Sequence, residues 1–387
     1  MCTFLEKNPT ESAYSGMSTE SQKNPGTVNY DRTSDENFAF SSEIDTMSAI
    51  TAEEETREFS FGLIGDTQYV DSDDGSTFDG STIRRYRQSL STLESACESF
   101  KNSHTSLCIL LGDTVDGKCK SMALADNCLE KIQIILKQSD SPWHFCIGNH
   151  DLICFSREEI LQKVTAASMK VQCSPSRLYY DFSPSAGYRF IFLDGYDVST
   201  IGASSDTNKA LAIDILISKN PNLSIEGAGW FEGLTMENQR FVPYNGGLSE
   251  NQLNWFNQTL KLASDNGERC FVFSHMPCYM ACCRPSGLIW NSEKIVDIMH
   301  QHKGTVAAFI AGHDHDGGYA VDEIGIHHLV LPSPLECAKN EVAYGHIAIP
   351  DTSPSRSTFF ELHWTGKVPQ STNYASWPTK MLFPPNK

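Results

Sequence analysis

Five short apolar runs in this chain each end in a cluster of oxygen- and imidazole-bearing residues, and that repetition constrains the fold more than any other feature. The clusters are Asp66-Thr67-Gln68, Gly112-Asp113-Thr114-Val115-Asp116-Gly117, Gly148-Asn149-His150-Asp151, His275-Met276-Pro277 and Gly312-His313-Asp314-His315-Asp316-Gly317. The runs before them, residues 59–65, 106–111, 143–147, 270–274 and 306–311, read as buried strands. Between the first two, Ile83, Tyr86, Leu90, Leu93, Cys97 and Phe100 recur at three- and four-residue steps, which predicts an amphipathic helix. A second helix is expected over about 124–137. Ser249 with Gln252 predicts a capping box, and Leu248 with Leu253 a hydrophobic staple, at the start of a third. Residues 188–193, 326–331 and 358–364 read as further strands. Strand and helix alternate, so the expected class is an α/β layered domain, whose ligands gather at the carboxyl ends of strands. No internal repeat of 20 to 50 residues is apparent.

Residues 1–57 have a different texture, rich in Ser, Thr, Glu and Asn with few apolar positions. Through Glu58, 12 acidic residues face 4 basic ones. Such a segment buries too little surface to offset its ordering entropy and is expected to be a disordered acidic tail, leaving 58–387 as one large domain. The whole chain carries −18. Phosphate-polymer binding needs a basic stripe, so nucleic acid and anionic membrane surfaces are poor partners. No run is long and apolar enough for a transmembrane helix, and no basic stretch followed by an apolar one marks a secretory signal. The 13 cysteines, an odd number, sit in apolar segments such as Leu107-Cys108-Ile109, which points to reduced thiols and a cytoplasmic setting. A monomer is the default expectation.

Carboxylate, amide and imidazole donors suit divalent ions such as Mn²⁺, Fe²⁺ or Zn²⁺, and the lack of paired thiolate motifs argues against structural zinc. One G-D-x-x-D or one H-x-H is a weak signal, since each recurs as a turn or a surface pair. Five clusters in order, all at expected strand ends, are a specific one. The clusters resemble the calcineurin-like metallophosphoesterase superfamily, whose run is D-x-H, G-D-x-x-D, G-N-H-[DE], a lone His and G-H-x-H, over about residues 59–364. Gln68 stands where most members have histidine. That opening, together with Val242-Pro243-Tyr244-Asn245-Gly246-Gly247-Leu248 and Ser249-Glu250-Asn251-Gln252-Leu253, is similar to the manganese-dependent ADP-ribose/CDP-alcohol diphosphatases.

The resemblance implies a four-layer α/β/β/α sandwich with two divalent metal ions, Mn²⁺ favoured and Zn²⁺, Fe²⁺ or Mg²⁺ as alternatives. It assigns Asp66, Gln68, Asp113 and His315 to the first ion, with Asp113 bridging to a second completed by Asn149, His275 and His313. A hydroxide shared by the two ions would attack phosphorus. His150 would contact the phosphoryl group or protonate the leaving oxygen, with Asp116 or Asp151 holding its ring. A neutral amide at position 68 predicts a weaker first site that favours added Mn²⁺; the alternative has water in that position. The implied reactions split ADP-ribose into AMP and ribose 5-phosphate, and CDP-alcohols such as CDP-choline into CMP and a phosphoalcohol. Cyclic-nucleotide phosphodiester hydrolysis on the same core, and a non-catalytic scaffold, are the competing readings. Cys278, Cys282 and Cys283 lack zinc spacing and read as pocket wall. His327-His328 reads as core or surface, and Tyr196 as packing or a base-stacking ring.

Overall fold

A computed structural model describes residues 59–77, 79–164, 172–350, 357–369 and 375–385 of the chain. The expected acidic tail, 1–57, lies outside the described residues. Two six-stranded sheets form the centre. In the first, Phe59–Ile64, Leu107–Leu110 and Trp143–Phe145 run parallel, and Ala343–Ile349, Phe359–Gly366 and Lys380–Leu382 extend it with antiparallel pairings. In the second, Tyr188–Phe192, Arg269–Phe273, Val306–Ala311 and His327–Val330 are parallel, and Tyr180–Ser185 and Gly318–Val321 close the edges antiparallel.

The sheets meet through large aromatic side chains. Phe61 of the first packs edge-on against Phe190 at 4.8 Å and Phe271 at 5.3 Å between centroids, and all three are fully buried. The helix Tyr86–Asn102 lays Leu93, Cys97 and Phe100 on the outer face of the first sheet, where Phe100 touches Trp143 and Tyr344. The helices Glu250–Asp265 and Ser292–Gln301 pack together beside the second sheet. Helix, sheet, sheet and helix layers therefore stand as the resemblance implies. The central parallel strands are buried throughout, which explains their unbroken apolar runs.

Two local readings change. Ser249 does cap its helix, its Oγ accepting from Gln252 N at 3.2 Å. The capping box is only half formed, because the Gln252 side chain turns away: its Oε1 accepts from Asp194 N and its Nε2 donates to Asp194 O and Asp197 Oδ2. Asp197 Oδ2 takes the vacated role by accepting from Ser249 N at 3.2 Å. The helix Asp206–Lys219, unforeseen in the sequence, is apolar around its circumference, with Ala212 and Leu216 buried but Leu211, Ile213 and Ile217 exposed, so it has no readable period. His327 and His328 are both buried, the first against the Tyr319 hydroxyl and Leu382 O, the second on Asp322. Among the described residues all twelve cysteines are free thiols, and no helix is long and apolar enough to cross a membrane.

Candidate metal centre

Every candidate ligand lies just beyond the carboxyl end of a parallel strand. The first sheet delivers Asp66 and Gln68 after Phe59–Ile64, Asp113 after Leu107–Leu110 and Asn149 after Trp143–Phe145. The second delivers His275 after Arg269–Phe273, and His313 and His315 after Val306–Ala311. The structure brings all seven together with His150. His275 Nε2 lies 3.3 Å from Asn149 Oδ1, 3.5 Å from Asp113 Oδ2, 3.1 Å from His313 Nδ1 and 3.9 Å from Asp66 Oδ1. His315 Nε2 is 3.7 Å from Asp66 Oδ1 and 2.9 Å from the Gln68 amide nitrogen.

The loops are forced into place. Gln68, Asp113 and His313 all have positive φ, at 38°, 49° and 67°, a conformation that side chains beyond glycine seldom adopt. Such strain persists only where surroundings over-determine it, and it concentrates at functional sites. Here the surroundings are visible. Gln68 N donates to Asp113 O at 2.8 Å, and Thr67 Oγ1 to Thr114 O at 2.9 Å, so the first two loops brace each other. His313 N donates to both oxygens of Asp66, at 3.1 and 2.9 Å. Glycine is required at two crossings: a Cβ on Gly148 would stand 2.0 Å from Asp113 Oδ1, and one on Gly312 2.3 Å from Asp66 Oδ2.

The donors fit a divalent cation. Asp66 and Asp113 are at most 1% exposed, and among the described residues no lysine or arginine pairs with either. Burial, opposed by His275 and His315, pushes the Asp66 carboxyl up from its ordinary range. Two such carboxylates call for positive charge. Each histidine, moreover, donates its outer N–H and turns the other nitrogen inward. His275 Nδ1–H donates to Leu111 O at 2.7 Å, His313 Nε2–H to Asn245 Oδ1 at 2.7 Å, and His315 Nδ1–H to Glu336 Oε1 at 2.8 Å. The Asn245 orientation follows from its Nδ2, which donates to the carbonyls of Arg240 and Ser286. Outer partners of this kind fix the tautomer of a metal-ligating imidazole. Gln68 completes the case: its Nε2 donates to Asp113 Oδ2 and His315 Nε2, and its Oε1 is buried without a partner. Turning the amide end for end would bring that unpaired oxygen, in place of the nitrogen, against Asp113 and His315, where it could serve a cation as a ligand.

His150 stands apart from this cluster, its Nε2 4.0 Å from Asp113 Oδ2 and its side chain 19% exposed. Gly117 N–H donates to its Nδ1 at 2.8 Å, which leaves the Nε2–H pointing outward, and Asp116 Oδ2 lies 3.4 Å from the same ring nitrogen. Asp151 does not reach the ring, because its carboxylate accepts from Thr114 N and Gly148 N and so clamps two loops together. Tyr196 is fully buried, and its hydroxyl donates to Asn149 Oδ1 at 3.1 Å, so it cannot stack on a base. Asn245 and Glu336 escaped the sequence reading in these roles, although Asn245 lies inside the stretch that carries the narrower resemblance. Cys278, Cys282 and Cys283 are buried, as a wall requires.

Comparison with known proteins agrees with this geometry. The profile of the calcineurin-like phosphoesterases matches residues 59–317. The manganese-dependent ADP-ribose/CDP-alcohol diphosphatase of Arabidopsis thaliana is 37% identical over 314 residues, covering 78% of this chain and 97% of the relative. The human enzyme of the same name is 34% identical, covering 76% and 87%. A dimetal phosphatase from Danio rerio, known from its crystal structure, superimposes with a TM-score of 0.75 at 30% identity over 84% of this chain and 99% of that one. The chain belongs to the calcineurin-like phosphoesterase family, alongside the manganese-dependent ADP-ribose/CDP-alcohol diphosphatases.

Proposed function

We propose that this protein is a metal-dependent hydrolase that splits the phosphoanhydride of ADP-ribose, giving AMP and ribose 5-phosphate, and of CDP-alcohols such as CDP-choline, giving CMP and a phosphoalcohol. The observation that carries the reading is the convergence of two buried carboxylates, unpaired with lysine or arginine among the described residues, with three histidines that turn an inner nitrogen towards them. The relatives' names supply the substrates, and the 97% coverage of the Arabidopsis protein supports transfer of the whole activity rather than of a fragment.

Asp66, Gln68, Asp113 and His315 would hold one divalent ion, and Asp113, Asn149, His275 and His313 a second, with Mn²⁺ favoured. Bound there, such ions acidify a water and offset phosphoryl charge. The rest is done by the chain. His150 presents its outward N–H to the phosphoryl oxygens or to the departing phosphate oxygen, and Gly117 N–H keeps it in that tautomer. Asp151 holds the loops carrying Asp113 and Asn149 in register, and the Tyr196 hydroxyl keeps the Asn149 oxygen in place. Above His313, Tyr244 at 5.9 Å and then Trp230, 6.0 Å beyond it, offer aromatic faces at which a nucleobase could be received.

The competing phosphodiesterase reading is decided by one panel: ADP-ribose, CDP-choline, cyclic AMP and a simple aryl phosphodiester, each with Mn²⁺ and with Mg²⁺. Release of AMP and CMP from the first two supports the proposal; turnover of cyclic AMP alone overturns it. We further propose that 58–387 is the catalytic domain and 1–57 an appended acidic tail, and that the protein acts as a monomer in the cytoplasm. Among the described residues ten of the twelve cysteines are buried, which supports a reducing compartment.

A further inference from the structure

The three inward-facing histidines are not held alike. His275 and His313 donate to neutral oxygens, Leu111 O and Asn245 Oδ1, whereas His315 donates to a carboxylate, Glu336 Oε1, at 2.8 Å. That same oxygen accepts from Arg84 Nε at 3.0 Å. Both Glu336 and His315 have side chains only 6% exposed. The short helix Pro334–Glu336 is anchored as well: Ser333 N donates to His315 O at 3.1 Å, Ser333 Oγ to Asp66 O at 2.8 Å, and Arg85 N to Leu335 O at 2.8 Å. Glu336 is thus built into the loop pair that carries Asp66 and His315.

A carboxylate on the outer N–H of an imidazole makes the inner nitrogen a stronger donor than a carbonyl does. The strengthened donor faces Gln68, the amide that stands in place of a better ligand. We propose that Glu336, gripped by Arg84, is a positioning residue that sets the metal affinity of the Gln68 position. It offsets there the weakness of a neutral oxygen donor. Arg84 ends the two-stranded ribbon Gly75–Ser76 and Ile83–Arg84, so the grip also ties that ribbon to the metal loop. The inference rests on the metal-dependent reading above.

The test is Mn²⁺ binding to the metal-free full chain, followed by titration calorimetry, for the unaltered protein, Glu336→Gln and Arg84→Gln. The glutamine variant keeps the shape of the acceptor and removes its charge. One of two Mn²⁺ equivalents should weaken about 10- to 100-fold in Glu336→Gln, the other remaining as it was, with a smaller loss in the same equivalent for Arg84→Gln. A merely structural role would weaken both equivalents together, and that result overturns the assignment. Isotherms that superimpose on the parent's overturn it too. If Glu336→Gln does not fold, Arg84→Gln decides alone, selective weakening supporting the proposal and none overturning it. Absence of Mn²⁺ binding by the unaltered protein would overturn both this inference and the metal-dependent reading, which keeps the two failures distinct.

Discussion

Replacing Gly148 by alanine should destroy the metal centre while leaving the fold nearly intact. The backbone there has φ −99° and ψ 169°, which any residue adopts, so strain at position 148 itself contributes nothing. The added methyl would sit 2.0 Å from Asp113 Oδ1, 2.3 Å from Asp113 N and 2.7 Å from Asp113 Cγ. Ordinary contact begins near 3.4 Å, so one loop must retreat by more than about 1 Å. Neither can do so freely. Asp113 accepts from His150 N and Gln68 Nε2, both at 2.8 Å, and Gly148 N donates to Asp151 Oδ2. Overpacking of this kind costs about 1–3 kcal/mol of stability, and a 1 Å misplacement of a reacting group costs about 10²-fold in rate. The expected result is therefore a fall of at least about 100-fold in kcat on ADP-ribose, loss of at least one Mn²⁺ equivalent, and a melting point lowered by only a few degrees. Gly229→Ala is the control, because its Cβ would meet nothing nearer than 3.8 Å. Retention of more than a tenth of the parent's turnover with two Mn²⁺ bound would refute the claim that this crossing shapes the site.

Three further expectations can be measured directly. Gln68→His should tighten Mn²⁺ at the first site and reduce the dependence of turnover on added metal; superimposable titrations would show that the amide is not a ligand. His150→Ala should keep its metal content while kcat falls about 10²–10⁴-fold, with a smaller loss on an activated aryl ester, whose leaving group needs no proton; equal losses would reassign His150 to charge stabilisation. The third concerns acid stability and His144, which is buried and stacked on Phe182 at 4.2 Å. Burial pushes its pKa down to about 4, so between about 6.5 and 4 the unfolded chain takes up the proton first. Its contribution is complete above about pH 6.5 and is lost as pH falls towards 4, at most about 3 kcal/mol. His144→Phe should lose less stability than the parent between pH 7 and pH 5 in urea unfolding, and parallel pH profiles would rule that origin out.

The centre of the fold was legible because its signals are local. A buried parallel strand writes an apolar run, and the turn beyond it writes its ligands next to one another, as in Gly112-Asp113 or His313-Asp314-His315. The edge strand Tyr180–Ser185 was not legible, since it is half-buried and contains Pro184. Nor was the helix Asp206–Lys219, whose exposed Ile213 and Ile217 blur its period. At the site, the ligands could be read but not what holds them. Asn245 meets His313 from 68 residues away and Glu336 meets His315 from 21, through folding that leaves no spacing in the sequence. Gln252 shows the same limit in miniature: a sequence-local capping partner was taken by Asp194 and Asp197, more than fifty positions away.

The pairing of Phe59–Ile64 with Ala343–Ile349 carries a kinetic consequence. Phe59 sits opposite Ile349, about 290 residues further along the chain. Contacts so distant reward folding only after a long loop has closed, so this pairing is a late event. Asp66, the earliest ligand in the sequence, follows that strand directly, and its contact with His313 spans 247 positions, so the donor set is likewise completed only after a long loop has closed. A cation has no complete set of donors to bind until then, and cannot speed a step that precedes its own site. Added Mn²⁺ should accordingly leave the refolding rate almost unchanged and slow unfolding instead, making the ion a lock on the finished molecule rather than a guide to its assembly.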